Sequence, residues 1–132
     1  MLNNTHSARA TQDEVLVDPH CHTRFSDGLS TPRSMFRKAR QRGLAALIVT
    51  DHDTVKHWPA CLEAAEHYEM ATALGLEIST AQGHLLAYFD TRAKARTIGR
   101  NLKLDEGHLP YWPVSTVIKR IHELNEPRTS PA

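Results

Sequence analysis

Two histidines stand two residues apart in Val17-Asp18-Pro19-His20-Cys21-His22-Thr23, directly after the apolar run Val15, Leu16, Val17. At the end of a strand this spacing sends both imidazoles to one side and Cys21 to the other, because side chains alternate along extended backbone. Two parallel imidazoles are half of a metal site. Its complement is spread along the chain: Asp27 in Ser26-Asp27-Gly28, His52 in Thr50-Asp51-His52-Asp53, Glu77 in Gly75-Leu76-Glu77-Ile78-Ser79, and His84 in His84-Leu85-Leu86-Ala87-Tyr88. Each falls at the start or end of a strand-like segment. Imidazoles and carboxylates without thiolates suit borderline divalent ions such as Mn²⁺, Zn²⁺ or Fe²⁺, and argue against a structural zinc knuckle. A metal also accounts for Glu77, an acid between Leu76 and Ile78 whose unpaired burial would be costly.

Several of these residues have plainer readings. Asp27 before Gly28 is a turn signal. Asp51 and Asp53 flank His52 and could orient its imidazole, while Asp53 and Thr54 could instead cap the next helix. Ligation by His52, with Asp51 and Asp53 as supports, is the favoured reading. Asp18 lies on the histidine side of its strand but deeper, which suits support rather than ligation. His6, His57 and His67 read as surface residues, and His108 and His122 as structural or exposed. Cys21 and Cys61 read as small buried apolar residues, not a disulfide framework.

The elements that would carry the donors follow from periodicity. A first strand is expected over residues 14–18. Thr31-Pro32 opens a helix, with a capping hydroxyl before a proline at the first helical position, and Gly43 ends it. The nearly continuous apolar run 44–50 reads as a strand buried on both faces of a parallel sheet. A helix from Val55 or Pro59 to Glu69, a strand over 72–78 and another over 84–89 continue an α/β order. Arg92, Lys94, Arg96, Arg100 and Lys103 form a basic stretch without an intervening acid, read as a solvated face rather than a phosphate-binding one. Val114, Val117, Ile118, Ile121 and Leu124 recur at helical spacing.

At 132 residues the chain is one domain's worth, short of the roughly 200 residues of a closed (β/α) barrel. A hydrophobic fraction of 40% with 23% charged residues is that of an ordinary globular protein, and a net charge of +1 singles out no partner. No run approaches the roughly 18 apolar residues of a membrane span. Residues 1–12 are polar, with no apolar leader segment, and read as a flexible arm; residues 126–132 read as a flexible tail. A cytoplasmic location is expected.

The ordered set D-x-H-x-H with S-D-G, then T-D-H-D, G-x-E-I-S and G-H-L-L-A-Y resembles the PHP (polymerase and histidinol phosphatase) superfamily, in its small phosphoesterase branch. The likeness covers residues 15–89 and, more weakly, the helix up to residue 125. It implies an α/β fold, the first half of a (β/α)7-type TIM-like barrel, with residues 13–125 as the PHP domain. It further implies up to three divalent ions: His20 and His22 with Glu77 at one, His84 with the bridging Glu77 at a second, and Asp27 with His52 at a third. The activity implied is hydrolysis of a phosphate ester of a small metabolite or nucleotide by a metal-activated hydroxide.

The pattern also breaks. No later His-Pro pair, Asp-x-His pair or phosphate-gripping arginine can be placed, so each inferred metal position lacks a protein ligand. A truncated and impaired enzyme is expected. The alternatives are a metal-binding remnant without turnover and a PHP module attached to DNA synthesis, with nucleic acid as a less favoured partner. Self-association is expected through the unfinished barrel and the face bearing Val117, Ile118 and Ile121.

Overall fold

The structure, a computed structural model, describes residues 14–125; the expected arm and tail lie outside the described residues. The first strand, β1 (Val17–Cys21), runs parallel to β2 (Ala46–Val49). It begins three residues later than its apolar run suggested, because pairing starts at Val17↔Ala46. The register shifts between Asp18 and Cys21. Pro19 lies in that stretch and has no N–H to give to a ladder, which favours such an irregularity. The His20 N–H that follows donates to the Asp18 carboxylate at 3.1 Å.

Helix α1 (Pro32–Gln41) starts as its sequence suggests, with the Thr31 hydroxyl accepting from the Ser34 N–H and Pro32 in the first turn. Its buried face, Phe36 and Ala39, packs with Leu47 and Val49 of β2 and with Cys61, Ala64 and Ala65 of α2 (Trp58–His67). Gly43, at φ +83, supplies the left-handed residue after α1.

The parallel pairing expected from the element order holds for the first three strands and ends at the fourth. β3 (Leu74–Thr80) follows β2 in the parallel sense through single bridges, Ala46↔Ala71 and His52↔Glu77. β4 (Gly83–Phe89), however, is antiparallel to β3, in register from Leu74↔Phe89 to Thr80↔Gly83. Only Ala81 and Gln82 separate the paired ends, a connection short enough for a hairpin and too short for a parallel crossover. The architecture is a mixed α/β fold.

Two further helices cover one face of the hairpin. α3 (Ala95–Asn101) lies inside the basic stretch, where no helix was expected, and α4 (Val114–Asn125) occupies the predicted amphipathic segment. Ile98 and Leu102, one helical turn apart, bury with Leu74, Leu76, Ile78, Ala87 and Phe89. Val117 and Ile121 join the same core, at 1% and 7% exposure. The face expected to drive self-association is therefore largely covered, and Ile118 alone of its three named residues is exposed. Among the described residues no helix is long and apolar enough to cross a membrane.

Gly75 lets β2 and β3 approach closely. A Cβ there would lie 2.6 Å from the Val49 carbonyl oxygen and against the Thr50 and Ile48 side chains. The Gly75 carbonyl also accepts from the His57 Nε2–H at 2.9 Å and the Trp58 Nε1–H at 2.8 Å, fixing the start of α2. Gly75→Ala is expected to destabilise the fold by about 1–3 kcal/mol through overpacking, read as a lower urea midpoint at unchanged m value. A midpoint within error of the original would show that the strands can part without cost.

Candidate metal centre

Glu77 sits at the middle of β3 on the face opposite Leu76 and Ile78, because neighbouring strand residues point to opposite sides. Its backbone is locked beside His52: the Glu77 N–H donates to the Asp51 carbonyl at 3.1 Å and the Asp53 N–H to the Glu77 carbonyl at 2.9 Å. Asp53 takes a left-handed backbone, φ +52, which turns the chain sharply after His52. The hairpin register sets Ser79 opposite His84, and hence His84 diagonal to Glu77 on the same face.

The side chains meet around one carboxylate. Glu77 Oε1 is 2.8 Å from His20 Nε2 and 3.0 Å from His22 Nε2. Its Oε2 is 3.0 Å from His84 Nδ1 and 4.0 Å from His52 Nδ1. Asp27 faces the other side of the cluster, with Oδ1 3.7 Å from His22 Nδ1 and Oδ2 3.2 Å from His52 Nε2. The His22 and His52 rings stack at 4.5 Å and 4°. All six residues singled out from the sequence as candidate donors lie together.

The donors fall into three overlapping groups whose ligand atoms lie within 4.8 Å of one another: His20, His22 and Glu77; His22, Asp27 and His52; His52, Glu77 and His84. His22 Nδ1 is buried without a hydrogen-bond partner, an expensive state for a polar atom that a bound cation would relieve. Nitrogen and oxygen donors in this mixture fit a borderline divalent ion. Burial alone would raise the Glu77 carboxyl, but the His20 hydrogen bond and the neighbouring His52 and His22 imidazoles outweigh it and hold the group below its ordinary value. Glu77 is therefore a carboxylate at neutral pH.

Asp51 and Asp53 act on backbone and hydroxyls rather than on the His52 imidazole, and Asp18 supports the strand end as a backbone acceptor. Asp51, fully buried, accepts from the Thr23 N–H at 2.7 Å, the Thr23 hydroxyl at 2.6 Å and the Ser26 hydroxyl. It thereby holds the turn that presents Asp27, and Gly28 closes that turn where any Cβ would strike the His22 carbonyl. Asp27 is thus a turn residue and a member of the cluster at once. Asp53 accepts from the Ser79 N–H and hydroxyl, each at 2.7 Å, tying the His52 loop to β3. Asp18 serves the His20 amide. A buried acid has to find donors wherever the fold offers them, and here these are main-chain and hydroxyl groups.

His57 is a second correction, fully buried rather than on the surface. Its Nε2–H donates to Gly75, and Nδ1 lies 3.8 Å from Asp51 Oδ2 without a hydrogen bond. Tyr88, which shares the Glu77 face of the hairpin, also escaped the sequence reading; its hydroxyl donates to the Pro19 carbonyl at 2.6 Å and braces β4 against β1. The alternation His84, Leu86, Tyr88 was the available signal. His67, His108 and His122 are exposed and stand apart from the cluster, and His6 lies outside the described residues.

The PHP domain family model matches residues 18–125. A 5'-3' exoribonuclease from Salmonella typhimurium is 40% identical over 72 residues, 53% of this chain and 25% of that protein. An amidohydrolase from Chromobacterium violaceum, solved with bound sulfate, aligns at TM-score 0.58 and 29% identity over 66% of this chain and 32% of its own. A Bifidobacterium adolescentis protein assigned as a metal-dependent phosphoesterase aligns at TM-score 0.54 and 30% identity, covering 83% of this chain and 44% of its own. The chain thus spans less than half the length of each.

Burial pushes the His57 imidazole below its ordinary value, with Asp51 opposing. Folding then favours the neutral ring, so the unfolded chain takes up this proton first as pH falls below about 6.5. Its contribution to stability is complete above that pH and declines as acidification proceeds toward the depressed folded value. Urea titrations in chelated buffer are expected to show a steeper loss of stability below that pH in the original chain than in His57→Gln. Parallel pH profiles would remove His57 from the acid response.

Proposed function

The chain belongs to the PHP domain family, and on that premise we propose that it is a metal-dependent phosphoesterase domain hydrolysing a phosphate ester of a small metabolite or nucleotide. The observation that carries this reading is Glu77, one buried carboxylate with its two oxygens turned to four imidazoles. His20, His22 and Glu77 would hold one ion, Glu77 and His84 a second, and Asp27 with His52 a third, as Mn²⁺, Zn²⁺ or Fe²⁺. Divalent ions in such a site acidify bound water, neutralise phosphoryl oxygens and stabilise the leaving oxygen. The parallel run β1–β2–β3 supports a (β/α)7-type barrel of which these would be opening strands.

The protein's own part is orientation and access. Asp51 holds the Thr23–Ser26 hydroxyls and amide, so Asp27 is presented by a turn that needs little rearrangement when substrate arrives. The side chains of Asp27, His84 and His20 are 65%, 52% and 46% exposed, which leaves the cluster open to an incoming phosphate, while Glu77 beneath them is shielded. Likeness to an exoribonuclease favours the nucleotide side of this substrate class.

The decisive experiment follows melting and turnover together. Mn²⁺ at a hundredfold excess over its Kd is expected to add about 2.7 kcal/mol of stability, and to support no more than weak hydrolysis of bis(p-nitrophenyl) phosphate, since each inferred metal position lacks a protein ligand. Glu77→Ala should abolish the melting gain and lower turnover by at least about a hundredfold, with His84→Ala costing about tenfold. Identical melting with and without chelator would sink the metal site. A melting gain without turnover would leave a metal-binding domain that does not catalyse.

A further inference from the structure

His20 reaches Glu77 with little around its ring to hold it in place. Its side chain is 46% exposed, against 22% for His22, which also stacks on His52. Among the described residues the His20 ring hydrogen bonds run through Nε2 alone, to Glu77 at 2.8 Å and His22 at 3.3 Å. A metal-binding imidazole ordinarily has its second ring nitrogen anchored too, which fixes the plane of the ring. For His20 that task falls to the backbone, and the β1–β2 ladder does not supply it. The paired positions are Val17↔Ala46, Asp18↔Leu47 and Cys21↔Val49, with Pro19 and His20 inside the register shift between them.

Two side chains take the ladder's place. The Pro19 carbonyl and the His20 N–H belong to one peptide unit. Its oxygen accepts from the Tyr88 hydroxyl at 2.6 Å, and its N–H donates to the Asp18 carboxylate at 3.1 Å. A planar peptide gripped at both its oxygen and its N–H cannot rotate about the flanking bonds without breaking a contact. Asp18 is local, whereas Tyr88 arrives from β4 over a separation of 69 residues. Gly75, the cross-strand partner of Tyr88, has no side chain to obstruct that reach. Burial, with the Glu77 and Asp18 charges adding to it, pushes the Tyr88 phenol above its ordinary value, so its proton stays available for donation.

We propose that Tyr88 is a positioning residue of the metal cluster. Its hydroxyl fixes the Pro19–His20 peptide and thereby aims His20 Nε2 at the ion that His20, His22 and Glu77 would share, a role that rests on the metal-site reading above. Tyr88 stands four residues beyond His84 on the same face of β4. One strand therefore supplies His84 at Glu77 Oε2 and sets His20 at Oε1. The spacing of donors on the two sides of the carboxylate is tied to a single hydrogen bond.

The test titrates the full chain with Mn²⁺ near pH 7 and reads the free ion by electron paramagnetic resonance. Tyr88→Phe removes the hydroxyl, keeps the ring, and is expected to weaken Mn²⁺ binding about tenfold. Because the lost hydrogen bond also lowers stability, Ile121→Val serves as the control. It trims the core on the face of the hairpin away from Glu77, at a similar cost to folding. Urea midpoints in chelated buffer establish that both variants are folded at the titration temperature. Ile121→Val should bind Mn²⁺ as the original chain does. Binding by Tyr88→Phe as tight as the original, or an equal loss in Ile121→Val, would overturn the proposal and leave the metal site standing. No Mn²⁺ binding by the original chain would overturn the metal reading, and this role with it.

Discussion

A negative charge held beneath the surface of a small domain is the condition from which the arrangement of this protein follows. Glu77 is 6% exposed and flanked by hydrophobic neighbours on its own strand. Removing a carboxylate from water is expensive unless partners replace the solvent. The four imidazoles supply those partners from three directions: β1 and the residue after it, the loop following β2, and the return strand of the hairpin. Each direction requires its own backbone geometry, and the irregular register of β1, the left-handed Asp53 and the tight β3–β4 turn are those geometries.

The supporting polar network is organised around backbone rather than around the imidazoles themselves. Asp51 and Asp53 flank His52, yet one reaches back to the turn after β1 and the other forward to Ser79. His52 is consequently fixed by the two chain segments its neighbours grip. Gly75 plays the matching part below, where the missing side chain lets β2 and β3 close and frees a carbonyl for both His57 and Trp58. Packing and polar satisfaction here are one problem, solved at the same residues.

The membership of the cluster was legible in the sequence because strand-end histidines and acids sit at fixed offsets from apolar runs. The direction of β4 was not. An apolar run reads alike in parallel and antiparallel pairing when both faces are covered, and Ala81-Gln82 lacks the asparagine-glycine signature of a tight hairpin. α3 was hidden by its charges, since Ile98 and Gly99 are its buried residues, Leu102 joins them only just past its end, and Lys94 makes no capping bond. His57 was misread because a histidine beside a lysine looks solvated, while the tryptophan on its other side pulls both rings inward. The acids around His52 were recognised as supports, but their targets lie far along the chain, where local spacing carries no information.

The hairpin divides the cluster into contacts of very different span. Glu77 and His84 meet across a tight turn, a loop whose closure costs little entropy, whereas His20 reaches Glu77 over a separation of 57 residues. No group of three donors can be assembled from the hairpin alone, since each includes a residue from the loop after β2 or from the chain around β1. An ion captured by this cluster would therefore register that distant parts of the chain have already found one another. Occupancy becomes a report on completed folding, and a chain stalled with only its local contacts formed would remain blind to metal.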